Sequence, residues 1–169
     1  MIILETSNLY LKTIEKEDSD ILHEKIFSNE ETMRYTFGQK AFTLEETKKF
    51  IYNNFCKNNA KVGLAPLFEK SSGQIVGIAG VLKSDDLKPD TYEFGFIIIE
   101  EFRRQGYATE IGKAEIIFAK KQLRQKHIFA TAHKENLASK NLLLKLGLSY
   151  IKDVDFPQRG EREIYSKKL

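Results

Sequence analysis

The segment from Glu93 to Glu110, EFGFIIIEEFRRQGYATE, constrains the fold more than any other stretch, because it drives a buried strand into a helix through a short basic turn. Phe94 to Ile99 is an apolar, β-branched run broken only by Gly95, which predicts a buried strand. Arg103-Arg104-Gln105-Gly106-Tyr107-Ala108 follows as a basic loop and leads directly into a helical pattern. A helix entered this way leaves several backbone N–H groups unpaired, and its dipole adds partial positive charge at the same end. The turn is therefore a candidate anion cradle. Gly106 lets the main chain come close to a ligand, Ala108 adds almost no bulk, and Arg103 and Arg104 bring full charges nearby.

Two familiar phosphate motifs do not fit. A Walker loop needs four residues between its glycines and then Lys and Ser/Thr, whereas five residues separate Gly106 from Gly112-Lys113, and Ala114 follows. A dinucleotide fingerprint needs three glycines, and the turn holds only Gly106.

The remaining pattern alternates strands and helices. Leu9, Leu11 and Thr13 alternate with Tyr10, Lys12 and Ile14 as a first strand, and Asp18 or Ser19 is placed to cap a helix carrying Ile21, Leu22, Ile26 and Phe27. Thr43 with Glu46 forms a capping box for a helix whose face runs through Leu44, Thr47, Phe50, Ile51 and Phe55, and Cys56 is expected within a helix. The intervening Met33 to Gly38 reads equally as a substrate-facing loop or as a packed connection. Residues 63–69 and 75–83 are strand-like around Ser71-Ser72-Gly73, with Gly77 and Gly80 marking close packing or a bulge. Ser84 to Asp90 is a polar loop before the central strand. After the cradle, Ala108, Ile111, Ala114 or Glu115, and Phe118 mark the core side of a helix. His127 to His133 is a strand whose histidines lie too far apart, at roughly 3.3 Å per residue, to share one metal ion. Asn136 and Ser139 open a short helix closed by Gly147, and strands at 148–154 and 161–167 end the chain.

At 169 residues, with 41% apolar and 30% charged residues, the chain has room for one sizeable core, so one α/β (α+β) domain over 1–169 is expected, built on a mixed twisted sheet of about seven strands flanked by helices. A net charge of +3 with scattered Lys and Arg gives no nucleic-acid face, and no apolar run reaches membrane-spanning length. The single Cys56 fits a reducing, cytoplasmic setting. No metal site is expected, and monomer and homodimer both remain open.

Arg103 to Ala108 matches Arg/Gln-x-x-Gly-x-Gly/Ala and resembles the coenzyme A pyrophosphate loop of the GNAT N-acetyltransferases. Asn136-Leu137-Ala138-Ser139, continued by Lys145-Leu146-Gly147-Leu148, resembles a later segment of that family. Glu5 with Leu9-x-Leu11, Glu17-Asp18 and Met33-Arg34-Tyr35 resemble the branch of ribosomal-protein N-terminal acetyltransferases and related small-amine acetyltransferases. The resemblance implies a GNAT-like fold and acetyl-CoA as co-substrate. It implies that the amides of Gln105, Gly106, Ala108 and Thr109, in a loop that includes Tyr107, hold the pyrophosphate with Arg103 and Arg104 beside it. It further implies that the pantetheine arm pairs with the backbone at Ile97, Ile98 and Ile99 while Asn136 and Ser139 contact it from the other side. On the residues alone, Asn136 reads as a helix N-cap and Ser139 as a first-turn polar group.

Acyl transfer needs a neutral amine, and a carboxylate beside the cleft can take its proton. Glu93 is the candidate base, on the strand face it shares with Gly95, Ile97 and Ile99; the other reading is a charge at the strand's entry. A backbone N–H near Ile98 is the candidate donor to the developing oxyanion. Where many family members carry a Tyr as proton donor to the thiolate, this chain has Leu143, leaving Ser139, water, or no acid at all, since a thiol of pKa about 8.5 is already a tolerable leaving group. Tyr107 and Tyr150 are substitutes for that donor in principle, but both are better explained as packing aromatics. The expected function is direct acetyl transfer from acetyl-CoA to a primary amine, a protein N-terminus or a small molecule. The alternatives are a CoA-binding sensor without catalysis and a peptide binder using the sheet edge.

Overall fold

The computed structural model describes residues 1–84 and 87–169. The strands are β1 (Ile2–Glu5), β2 (Leu9–Lys12), β3 (Gly63–Glu69), β4 (Ile75–Lys83), β5 (Tyr92–Ile98), β6 (His127–His133), β7 (Ser149–Phe156) and β8 (Gly160–Lys168). The helices are α1 (Lys16–Leu22), continued by a π turn at His23–Phe27, then α2 (Glu30–Met33), α3 (Leu44–Asn54), α4 (Tyr107–Lys121) and α5 (Leu137–Lys145). One sheet holds all eight strands in the order β1-β2-β3-β4-β5-β6-β8-β7. Every pairing is antiparallel except β5 with β6. A parallel pair needs a crossover, and α4 supplies it.

Side chains from the two faces of this sheet form the core. Phe94 and Phe96 of β5 and Ile128, Ala130 and Ala132 of β6 pack with Ile116 and Ala119 of α4 and with Leu143 and Leu146. Ile97 and Ile78 face the other way, onto Leu22, Ile26, Phe27 and Ile51 from the N-terminal helices. Period-two alternation thus divides β5 between two helix layers. Gly77 and Gly80 let the central strands close up: a Cβ at Gly77 would lie 2.2 Å from the Ile97 carbonyl oxygen, and one at Gly80 would lie 2.1 Å from that of Gly63.

The fold is the expected mixed sheet, with eight strands rather than about seven. The additional strand is β1, whose apolar Ile2-Ile3-Leu4 lacks an alternating pattern and becomes a strand by pairing with β2. α1 is capped by Glu15, not by Asp18 or Ser19. Asp18 instead occupies the N3 position of the capping box, its Oδ2 accepting the Glu15 N–H at 2.8 Å. The Thr43–Glu46 box forms as expected. Cys56 lies beyond the end of α3, where its N–H donates to the Leu64 carbonyl at 2.7 Å. It is buried, and burial pushes its thiol up to about 11. Of the polar loop expected at Ser84 to Asp90, residues 85 and 86 lie outside the described residues.

Candidate active site

Among the described residues, β5 and β6 pair in register at one position, Glu93 opposite Phe129; beyond it the two strands lie next to each other without continuing the ladder. The Ile99 N–H bonds to the Val76 carbonyl on β4. By alternation, Ile98 turns its backbone groups toward the open wedge instead. The Ile98 carbonyl accepts from Arg103 Nε at 3.1 Å, and Arg103 Nη2 reaches Thr32 Oγ1 at 3.4 Å. Arg103 therefore ties the basic turn to β5 and α2. Ile97 packs against the N-terminal helices, and Ile99 is buried just past the strand.

The basic turn closes over one end of the wedge. Arg104 is exposed with φ of 63°, and Gly106 caps α4 at φ of 83°, the left-handed geometry that glycine adopts without penalty. A Cβ at Gly106 would meet nothing within 4 Å, so the space over the turn is open. Among the described residues, the N–H groups of 104–109 find no protein acceptor, the first intrahelical bond being Glu110 N–H to the Gly106 carbonyl. Arg104 likewise pairs with no described residue, and Gln105 is exposed. Ala108 and Thr109 are half-buried in the first turn. The Tyr107 side chain turns into the core and donates its hydroxyl to Glu69, a bond that pushes the phenol up to about 12. Glu110, the acid of this first turn, is held away from the open N–H groups by the β1–β2 turn. Its Oε1 accepts from Thr6 Oγ1 at 2.5 Å and from the Asn8 N–H at 2.8 Å, and its Oε2 accepts from Asn8 Nδ2 at 2.9 Å.

α5 borders the other side. Asn136 is its N-cap, with Oδ1 accepting the Ser139 N–H at 3.2 Å. The Ser139 hydroxyl has no partner among the described residues. Leu143, one face further on, is buried against Phe94 and Ile116 and offers no proton. Tyr150 is half exposed, donates to Asp153 Oδ1 at 3.0 Å and packs its ring edge-on against Tyr165, 6.1 Å between centroids, so it is a packing aromatic at the surface.

Glu93 lies where the ladder between the two strands ends. Its Oε1 is 3.4 Å from Arg159 Nη1, and its Oε2 accepts from Ser84 Oγ at 3.2 Å. Next to it on this face is Gly95, where an added Cβ would meet nothing within 4 Å. Thr131 Oγ1 accepts from both Arg159 Nη2 and Arg162 Nε, each at 2.8 Å. Arg162 also donates to the Tyr35 and Thr131 carbonyls, at 2.8 and 3.2 Å. Burial, then the neighbouring Arg159 charge, bring Arg162 down to about 10, with Glu93 pulling in the opposite direction. The Tyr35 ring lies 4.9 Å from that of His133, while Phe37 packs on Phe27 and Phe50. The loop after Met33 is thus both a packed connection and a wall of this cleft.

Thr131 and Arg162 were not singled out by the sequence reading. Arg162 carried a signal: it is a cation in step with Ile164 on the inward face of β8.

A family model described as an acetyltransferase (GNAT) domain matches residues 8–149. The chain belongs to the GNAT acetyltransferases. This GNAT chain is 26% identical over 143 residues to the uncharacterized N-acetyltransferase YnaD of Bacillus subtilis (strain 168), covering 85% of this chain and 80% of YnaD. A GNAT-family acetyltransferase from Bacillus anthracis superposes with a TM-score of 0.82 at 24% identity, over 99% of this chain and 98% of that one. RimL, a ribosomal L7/L12 α-N-protein acetyltransferase solved in complex with coenzyme A, superposes with a TM-score of 0.77 at 14% identity, over 100% of this chain and 98% of that one. At these identities the two structures establish the fold, and the family match establishes the acetyltransferase class. No described helix is long and apolar enough to cross a membrane.

Proposed function

We propose that this GNAT enzyme transfers acetyl from acetyl-CoA directly to a primary amine, with no covalent enzyme intermediate. The observation that carries the reading is the wedge between β5 and β6, bounded by a turn of unspoken-for N–H groups at one end and by a carboxylate at the other. The residues present fit the cofactor. The N–H groups of Gln105, Gly106, Ala108 and Thr109 suit a diphosphate, with Tyr107 contributing its backbone alone and Arg104 the nearby charge. Arg103 acts by fixing the turn. Ile98, between Ile97 and Ile99 whose backbone groups bond toward β4, turns its N–H to the wedge as the strand edge that a pantetheine arm can meet, and Asn136 Nδ2 and the Ser139 hydroxyl, both without a described partner, are the groups α5 would offer it.

When bound, the thioester supplies an activated acetyl group. Glu93 takes the proton that the acceptor ammonium must lose before its nitrogen can attack, and the Ile98 N–H meets the acetyl carbonyl oxygen as charge develops on it. With Leu143 where a Tyr proton donor is usual, the thiolate leaves unassisted or takes a proton through Ser139 or water. RimL, an α-N-protein acetyltransferase of ribosomal L7/L12, supports a protein N-terminus as one acceptor class; a small amine is the other. The buried lone cysteine is compatible with a cytoplasmic setting.

The Glu93–Arg159 ion pair favours a second reading, a CoA-binding sensor whose carboxylate is structural. Glu93→Gln separates the two: for an enzyme, kcat falls by about 10²–10⁴-fold while CoA affinity is kept, the loss typical of a removed general base. Undiminished turnover in that variant removes Glu93 from the mechanism, and a wild-type chain that binds CoA but acetylates no amine establishes the sensor.

A further inference from the structure

The acceptor cleft carries more positive charge than its own residues balance. Arg162 is 7% exposed, and its hydrogen bonds all go to neutral oxygens: the Thr131 hydroxyl, the Thr131 carbonyl and the Tyr35 carbonyl. Buried guanidinium groups ordinarily have a carboxylate partner, because desolvating an unpaired charge is costly. The nearest acids on β8 do not serve. Glu161 and Glu163 alternate to the other face, where Lys134 holds the first at 3.6 Å and Lys140 the second at 2.8 Å. On the inner face two guanidinium groups, Arg159 and Arg162, converge on one hydroxyl and share a single carboxylate, Glu93. The cluster has one positive charge in excess and lies beside the open space above Gly95.

We propose that the acceptor is an amine carrying its own carboxylate a few bonds from the nitrogen, as in an amino acid or an acidic peptide N-terminus. This rests on the reading of the wedge as an acetyltransferase site. The Glu93–Arg159 ion pair already has the complementary charges of such a ligand. The incoming ammonium goes to Glu93, the incoming carboxylate goes to Arg159 with Arg162 behind it, and one internal ion pair becomes two with the ligand. Glu93 is thereby released from Arg159 only when a substrate of the right charge arrives. Thr131 and Tyr35 act as positioning residues that hold the guanidinium groups in place. A polycation such as a polyamine meets net repulsion in the same cleft.

Three comparisons with acetyl-CoA and thiol release as the signal test this. They are a set of free α-amino acids against their α-amides, short peptides with acidic residues at positions one to three against neutral analogues, and spermidine alone. The expected result is a kcat/KM at least about tenfold higher for the carboxylate-bearing member of the better pair, with spermidine below both, a preference of the size that one charge-assisted contact gives. Which pair wins tells a free amino acid from a protein N-terminus. In Arg159→Gln the preference falls toward one. Equal or better turnover of amides, neutral peptides or spermidine overturns the proposal while leaving the acetyltransferase reading intact. If nothing turns over, melting curves without thioester still decide: stabilisation by the carboxylate-bearing compounds and not by their amides, lost in Arg159→Gln, upholds the anion site, and stabilisation by neither rejects it.

Discussion

Glu115 sits in the middle of α4 with no exposure, and neither carboxyl oxygen has a hydrogen-bond partner among the described residues. Burial pushes it well above the ordinary carboxylate range, and the nearby Gly80 backbone pulls in the opposite direction. The folded state therefore holds a proton that the unfolded chain releases above pH 4.5, and stability from this group is fully present below that pH and declines as pH rises toward the folded value. The expected slope in that window is about 1.4 kcal/mol per pH unit for one proton. Glu115→Gln should flatten it and raise the melting temperature at neutral pH, as read by thermal unfolding between pH 4 and 8. The sequence placed Glu115 at the core edge of this helix, since spacing shows which face a residue occupies. Spacing does not show what lies opposite, and for the same reason Glu93 was visible as a candidate base while its ion pair with Arg159 was not.

At the scale of one helix, α5 shows how a cap and a ligand contact can share a side chain. Asn136 Oδ1 is committed to the Ser139 N–H, while Nδ2 donates to no described residue. Asn136→Ala should cost about 1 kcal/mol, the usual price of a lost N-cap, and lower the melting temperature by about 2–4 °C for a chain of this size. Asn136→Asp keeps the accepting oxygen and should restore the melting temperature while raising KM for acetyl-CoA. An unchanged KM would confine Asn136 to capping. Caps of this kind were legible because they are decided within four residues: Asn136–Ser139 and Thr43–Glu46 both form. The cap of α1 was misplaced because Glu15 and Asp18 exchange bonds with each other's backbone, so composition alone could not say which stands at the cap.

Across the molecule, the sheet divides at β5–β6 into a five-stranded and a three-stranded part, with a single paired position and α4 between them. A thioester whose arm lies in that gap joins the two parts. Saturating acetyl-CoA, at about a hundred times its Kd, should stabilise the fold by about 2.7 kcal/mol and raise the melting temperature by about 5–10 °C. Hydrogen exchange should slow most at 95–98 and 130–133. A melting curve indifferent to the cofactor would remove the basis for placing it there. The central strand, the basic turn, the helix that follows and the strand at His127 to His133 could be read from the sequence, while the parallel pairing across them is a finding of the structure. The first edge strand could not, because Ile2–Glu5 is a strand only by virtue of its neighbour. That edge has an unexpected reach. By fastening the carboxylate of Glu110, the hairpin tip at Thr6 and Asn8 engages the one acid in the first turn of α4, so an arriving anion meets the backbone dipoles and the Arg104 charge. The rim of the sheet thus helps set the field at that doorway through its grip on a single first-turn acid.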